Sequence, residues 1–217
     1  VKRLAIGNLE LLPSRAVWRE ATRTLFVADT HLGKGAAFRA GGAPAPAGPT
    51  EQTLRRLGAL CDELGPARLV VLGDFLHAFA SLGPRLIAML VAWRRERQAV
   101  ECLIVRGNHD MIAGDPPEEC GFRSVDEPFA DDDVECRHFP LDDEKLGEGP
   151  VILAGHLHPV TRLEGPGRDS LRLPCFVISG RQVVLPAFGE FTGGAIARAR
   201  PGARLVVTTD SELFDVK

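Results

Sequence analysis

Residues 69–77 read LVVLGDFLH, four apolar residues that run into Gly73 and Asp74, with His77 three positions on. An unbroken apolar run of this length marks a strand covered on both faces, and the glycine and acid mark its carboxyl end. Three other runs share the pattern. LFVA at 25–28 ends in Asp29, CLIV at 102–105 in Arg106-Gly107-Asn108, and VILA at 151–154 in Gly155-His156. Polar residues at the carboxyl ends of such strands project into one shared crevice. The expected fold is α/β.

Outward from these four strands, Leu9 to Leu12 and Ala16 to Trp18 are expected strands joined by a turn at Pro13-Ser14. The segment Gly41 to Pro49 is expected to be an extended loop, and Thr50 to cap a helix with Thr53 at the capping-box position. Leu54, Leu57, Leu60, Cys61 and Leu64 recur at helical spacing until Gly65-Pro66 ends the run. Leu86 to Trp93 has the apolar density of a second packed helix, with Arg94, Arg95 and Arg97 near its negative end. Met111 to Gly149 is polar, acidic and proline-broken, so it is expected to be mostly loop, with one strand around Val134 to His138 and an exposed acidic run at Asp131 to Asp133. Beyond Gly155, Cys175 to Ile178, Gln182 to Leu185, Ala195 to Ala197 and Leu205 to Val207 predict an antiparallel run of short strands.

The 217 residues suffice for one well-filled core, so residues 1–217 are expected to form a single domain. No apolar run approaches a membrane span, and Glu10, Pro13 and Arg15 interrupt the place where an export signal would keep its apolar stretch. A cytoplasmic location with no membrane contact is the expectation. Cys61, Cys102, Cys120, Cys136 and Cys175 are scattered and never form a CxxC pair, which removes disulfide frameworks and zinc fingers. Any metal must then be held by histidine, carboxylate and amide oxygen. A net charge of −3 gives no basic footprint for nucleic acid. The GKG at Gly33 to Gly35 lacks the spacing of a phosphate-binding loop.

Chemistry concentrates in the histidines. Five of the six, His31, His77, His109, His156 and His158, lie in short motifs at strand ends, and only His138 lies in irregular sequence. One histidine alone is more often a satisfied core or surface residue. The motifs DxH, GDxxH, GNHD and GHxH, however, occur once each and in that order. This ordered set resembles the calcineurin-like metallophosphoesterase superfamily, over most of the chain.

The resemblance implies a β-sandwich of mixed sheets flanked by helices and a centre of two divalent ions. By the family pattern Asp29, His31 and His158 would hold one ion, Asn108, His138 and His156 the other, and Asp74 would bridge them. His138 departs from the pattern, being followed by Phe139-Pro140 where the family often has glycine. Asp29/His31 and His156/His158 are alternate residues, which on an extended backbone project to the same side. Two such ions polarise phosphoryl oxygens and turn a water held between them into a nucleophile near neutral pH. His109 would face the phosphate, stabilising its charge or protonating the leaving oxygen, with Asp110 orienting it. For His77 the resemblance implies a role against the phosphate, beside an equally ordinary reading as a buried structural hydrogen bond. Lys34 and Arg39 are candidates for phosphate contact or for plain solvated surface.

Longer stretches, DTHLGKGAAFRAGG, GDFLH, GHLHP and LPAFGEFTGG at Leu185 to Gly194, resemble the bacterial ligase-associated DNA damage response endonucleases, nearly end to end. That resemblance implies a manganese-dependent phosphodiesterase that incises single-stranded DNA in DNA repair, in functional association with a DNA ligase and a helicase. The nitrogen and oxygen donors alone would also admit iron, cobalt or zinc. Two other readings stand beside it: a phosphodiesterase or phosphatase for small nucleotides with a narrower pocket, and a non-catalytic scaffold of the same fold. A scaffold typically loses ligands, whereas the full set is present here.

Overall fold

The four apolar runs do become strands, and their alternation sets the layers. The computed structural model describes residues 2–165, 169–197 and 202–216. Its first sheet takes the strands β1 (Leu4–Ile6), β2 (Leu9–Leu12), β3 (Ala16–Arg19), β4 (Thr24–Val27), β5 (Arg68–Leu72), β6 (Glu101–Val105) and β7 (Arg123–Val125) in sequential order. The first four pair antiparallel, and β4 to β7 pair parallel. Between the parallel strands run the helices α1 (Lys34–Ala40), α2 (Pro49–Leu64), α3 (Pro84–Arg95) and α4 (Asn108–Ala113). Leu25, Val27, Leu69, Val71, Cys102 and Ile104 face one way, against Leu54, Leu57 and Cys61 of α2 and Leu86, Leu90 and Trp93 of α3. Their neighbours Phe26, Val70, Leu72, Leu103 and Val105 face the other way, into a second sheet. Period-two side chains buried on both faces are why these runs carry no polar alternation. Each fully buried Leu or Phe contributes about 1.5–3 kcal/mol.

The second sheet contains β8 (Phe129–Asp131), β9 (Val134–Cys136), β10 (Val151–Ala154), β11 (Pro159–Glu164), β12 (Ser170–Ser179), β13 (Gln182–Val184), β14 (Ala195–Ile196), β15 (Arg204–Thr208) and β16 (Leu213–Val216). Its order is β14-β11-β12-β13-β10-β9-β8, with β15 joined to β12 and β16 to β15. Val134, Leu153, Phe176, Val183, Leu185 and Val206 fill the space against the first sheet. The result is a sandwich of two mixed sheets with helices outside the first. Among the described residues no helix is long and apolar enough to cross a membrane.

The shared crevice is drawn from both sheets, because β10 lies in the second and β4, β5 and β6 in the first. Several expectations are corrected. Helix α2 starts at Pro49 behind Gly48, whose φ of 102° makes the turn, and Thr50 does not cap it. The Thr50 hydroxyl instead accepts the Gly33 N–H at 3.0 Å. The region 111–149 holds three strands, and β9 stops before His138. The later strands are not a purely antiparallel run: β13 pairs parallel with β10 and β14 with β11. Asp131 is not exposed. It is 1% accessible and pairs with Arg68, while Asp132 and Asp133 pair with the buried Arg19. All five cysteines are free and buried.

Candidate metal centre

The loops that follow β4 and β5 are zipped together by their backbones. Asp29 N–H donates to the Gly73 carbonyl at 3.1 Å, His31 N–H to the Asp74 carbonyl at 2.8 Å and Leu32 N–H to the Phe75 carbonyl at 2.8 Å. The alternate-residue pairs do not lie on extended backbone as expected. Asp29, His31, Asp74, His156 and His158 all have positive φ, between 44° and 70°. Five non-glycine residues in this region, all at one centre, are a local strain that the surrounding structure must hold. Asp110 supplies part of that hold. Its carboxylate accepts N–H bonds from Phe75 (3.2 Å), Leu76 (2.9 Å) and Gly107 (3.0 Å), tying the β5 loop to the β6 loop.

The side chains then converge in two groups. His31 Nε2 lies 3.2 Å from His158 Nε2 and 3.6 Å from Asp74 Oδ2, and His158 Nε2 is 3.5 Å from Asp29 Oδ1. In the second group His138 Nε2 lies 3.0 Å from Asn108 Oδ1, 3.0 Å from His156 Nδ1 and 3.5 Å from Asp74 Oδ1. Asp74 therefore turns one oxygen to each group. His138 Nδ1–H donates to the Leu72 carbonyl at 3.3 Å, which leaves Nε2 as a bare acceptor pointing inward. Each group could hold a metal ion.

Electrostatics favour a cation there. Burial raises the pKa of Asp29, only partly offset by His158 and His138, and burial raises that of Asp74, offset in part by the His109 N–H. Burial, helped by His158 and Lys34, pushes His31 down to about 2, and burial lowers His138 as well. His31 and His138 are thus neutral, the form that binds metal. Buried acids beside bare imidazole nitrogens and an amide oxygen form a donor set without its acceptor, and two divalent ions fit it chemically.

Around this core stand the other candidates. His109 Nδ1–H donates to the His77 carbonyl at 2.6 Å, so His77 orients it and Asp110 does not. The His77 ring is half-buried, stacks on His109 and comes within 3.4 Å of His31 through its Nδ1. Lys34 Nζ reaches the Thr192 carbonyl at 3.4 Å and lies near enough to Asp74 for that carboxylate to raise its pKa against the lowering by burial. Arg39 is drawn away, with Nη1 on the carbonyls of Ala45 and Pro46, where it clips the Gly/Pro loop. Sequence reasoning missed Glu127, whose Oε2 accepts the N–H groups of His138 (2.6 Å) and Phe139 (3.0 Å) and so fixes the one histidine outside a strand-end motif. No local pattern marks it. The stretch Leu185 to Gly194 returns to the centre, with Phe188 N–H on the Ala28 carbonyl and Gly189 N–H on that of Asp29.

This arrangement has recognisable relatives. Residues 22–175 match the family model described as calcineurin-like phosphoesterase. The chain is similar to the nuclease MPE of Pseudomonas putida, at 38% identity and a TM-score of 0.80, covering 99% of this chain and 98% of that one. It also aligns with Yfce, a phosphoesterase from E. coli, at 14% identity and a TM-score of 0.43 over 89% of this chain and 97% of the other. None of the curated proteins matches. The family uses divalent metals, and the match spans every candidate ligand from Asp29 to His158. The chain belongs to the calcineurin-like phosphoesterase family and is a metallophosphoesterase.

Proposed function

We propose that this protein is a binuclear phosphodiesterase that cuts single-stranded DNA as a manganese-dependent endonuclease of DNA repair. The observation that carries the two-metal part is Asp74, with Oδ2 facing His31 and Oδ1 facing His138. Asp29, His31 and His158 would hold one ion, Asn108, His138 and His156 the other, and Asp74 would join them. When bound, such a pair supplies neutralisation of phosphoryl charge and a nucleophile drawn from water near neutral pH. His109, with Nδ1–H fixed on the His77 carbonyl, keeps Nε2 free to hold a proton at the phosphate and pass it to the leaving oxygen. Lys34 adds a cation beside the centre, and Asp110 acts by positioning the loops. Nucleic acid as substrate is supported by the similarity to the P. putida nuclease. A hard and borderline donor set without thiolate suits manganese. Five buried free thiols suit a reducing cytoplasm, and the apolar layer shared by both sheets suits one folding domain. Association with a DNA ligase and a helicase follows from the sequence resemblance alone.

The test is hydrolysis, with added Mn, of single-stranded DNA, cyclic nucleotides, and simple mono- and diesters, followed by end-group analysis. Cutting of DNA supports the proposal. Turnover of small esters with DNA left intact would move the protein to the small-nucleotide reading.

A further inference from the structure

The lip of the centre is aromatic and apolar. Phe38 on α1 is 39% exposed and stacks on His77 with centroids 5.7 Å apart and planes 19° apart. His77 stacks in turn on His109, at 4.7 Å and 23°. Phe191, in the loop between β13 and β14 and 36% exposed, meets Phe38 at 6.1 Å with planes 79° apart, so the two rings make a corner. Lys34 Nζ stands 5.9 Å from the Phe191 centroid. A 3-10 turn, Phe79–Ser81, packs against both α1 and α4, and it carries the lip on through Phe79 to Met111 and Ile112, each more than 70% exposed.

Large apolar side chains held out in water at a site mouth mark a surface that a ligand covers. The occupant here must place a phosphate at His109 and a flat, polarisable face at Phe38, 4.7 Å and then 5.7 Å further along the ring stack, with Phe191 beyond it at 6.1 Å. A phosphate-linked nucleobase has both parts. In a duplex the base faces are already stacked on their neighbours, so only an unpaired base can present one. Phe139 is a weaker candidate for the same role, because its ring is held edge-on by His138 and His156.

We infer that Phe38 and Phe191, with Lys34 beside them, form a nucleobase-stacking subsite next to the scissile phosphate, and that this subsite selects unpaired strands over duplex. The inference rests on the nuclease reading above and names what in this chain would give it its substrate preference. The subsite tolerates any base, since every base has a π-face, and takes no part in the turnover of esters that lack one.

The experiment uses the full-length, Mn-loaded protein with Phe38 or Phe191 changed to Ala or to Leu, each checked for native circular dichroism and melting temperature. Substrates are oligothymidylate, the same oligomer with abasic residues flanking one linkage, its duplex with oligoadenylate, and glycerophosphoethanolamine, an aliphatic diester with no π-face. Binding of labelled oligothymidylate to metal-free protein is followed by fluorescence anisotropy. The expected result is that each Ala variant lowers the ratio of kcat/KM for oligothymidylate to that for the small ester about tenfold, chiefly through KM, as loss of one base–aromatic stack predicts. Leu does not restore the ratio, the abasic linkage shows no further loss in the variants, the preference for oligothymidylate over its duplex narrows about as much, and anisotropy weakens in parallel; an unchanged preference over duplex would overturn the selection of unpaired strands. An unmoved ratio overturns the inference, as does full rescue by Leu, which would indicate packing of His77 instead. If the wild type turns over the ester but neither binds nor cuts oligothymidylate, the nuclease reading falls and this inference with it; if it cuts the oligomer with the ratio unmoved, only the inference falls.

Discussion

The His77 carbonyl accepts the Nδ1–H of His109 at 2.6 Å, and the two rings stack 4.7 Å apart. Main chain from one motif thus sets the tautomer of a side chain in another, leaving Nε2 as the nitrogen that the proposed acid role would use. His109→Ala is expected to keep the metal content of the wild type while kcat falls about 10²- to 10³-fold, the range for a lost general acid. Metal analysis of the dialysed variant beside its turnover decides this. A drop in bound metal would make His109 a ligand.

Asp74→Ala takes away the oxygens at 3.6 Å from His31 and 3.5 Å from His138 together. Neither group of donors is then complete, and the stabilisation supplied by paired ions, several kcal/mol, goes with it. Hydrolysis should fall roughly a thousandfold or more, and metal stoichiometry should fall below that of the wild type. Undiminished activity would refute the bridging role.

What could be read in the sequence was local, and what could not was long-range. The runs at Leu25, Leu69, Cys102 and Val151 announce strands because burial on both faces leaves an unbroken apolar signature, and the motif residues follow each strand directly. Strands β1, β7 and β8 are three residues each and lie at or near sheet edges, where partners rather than composition decide pairing. Glu127 was invisible because its task, accepting the His138 N–H, exists only after the chain has folded back. The left-handed backbone of Asp29 and His31 runs against local preference, and only the backbone zipper to Gly73, Asp74 and Phe75 explains it.

Burial makes the protein sensitive to alkali. Against an ordinary value of 9.0, the thiol pKa is pushed up to about 12 in Cys61 and Cys175 and to about 11 in Cys102, and it is raised in Cys136 and Cys120. Above about pH 9 the unfolded thiols ionise while the folded ones keep their protons, so the unfolded chain binds fewer protons. Stability is therefore steady on this account below pH 9 and falls above it, by roughly 1.4 kcal/mol per pH unit for each thiol until its folded value is reached. Urea unfolding from pH 8 to pH 10.5 should show the decline, and Cys175→Ala should flatten it. An identical slope in that variant would refute the account.

Gly107 tests how tightly the centre is built. Its φ of −96° suits any residue, so backbone freedom does not explain it. A Cβ there would overlap the Asp74 Oδ1 and backbone nitrogen and come within 3.0 Å of His138 Cε1. Alanine must therefore shift the β5 loop backbone at Asp74 together with its carboxylate. Gly83, with extended backbone and open space within 4 Å of where an alanine methyl would sit, provides the control. Gly107→Ala is expected to lower the melting temperature of the metal-free protein, since the Asp74 backbone must shift, and to weaken metal binding while cutting turnover about 10²-fold, the effect of an ångström-scale misplacement. Gly83→Ala should do none of these. Titration of Mn into both variants, with kcat measured at saturation, separates the outcomes: wild-type affinity in Gly107→Ala would mean that Asp74 can move without loss, against a bridge held in place by the close approach of the β6 loop.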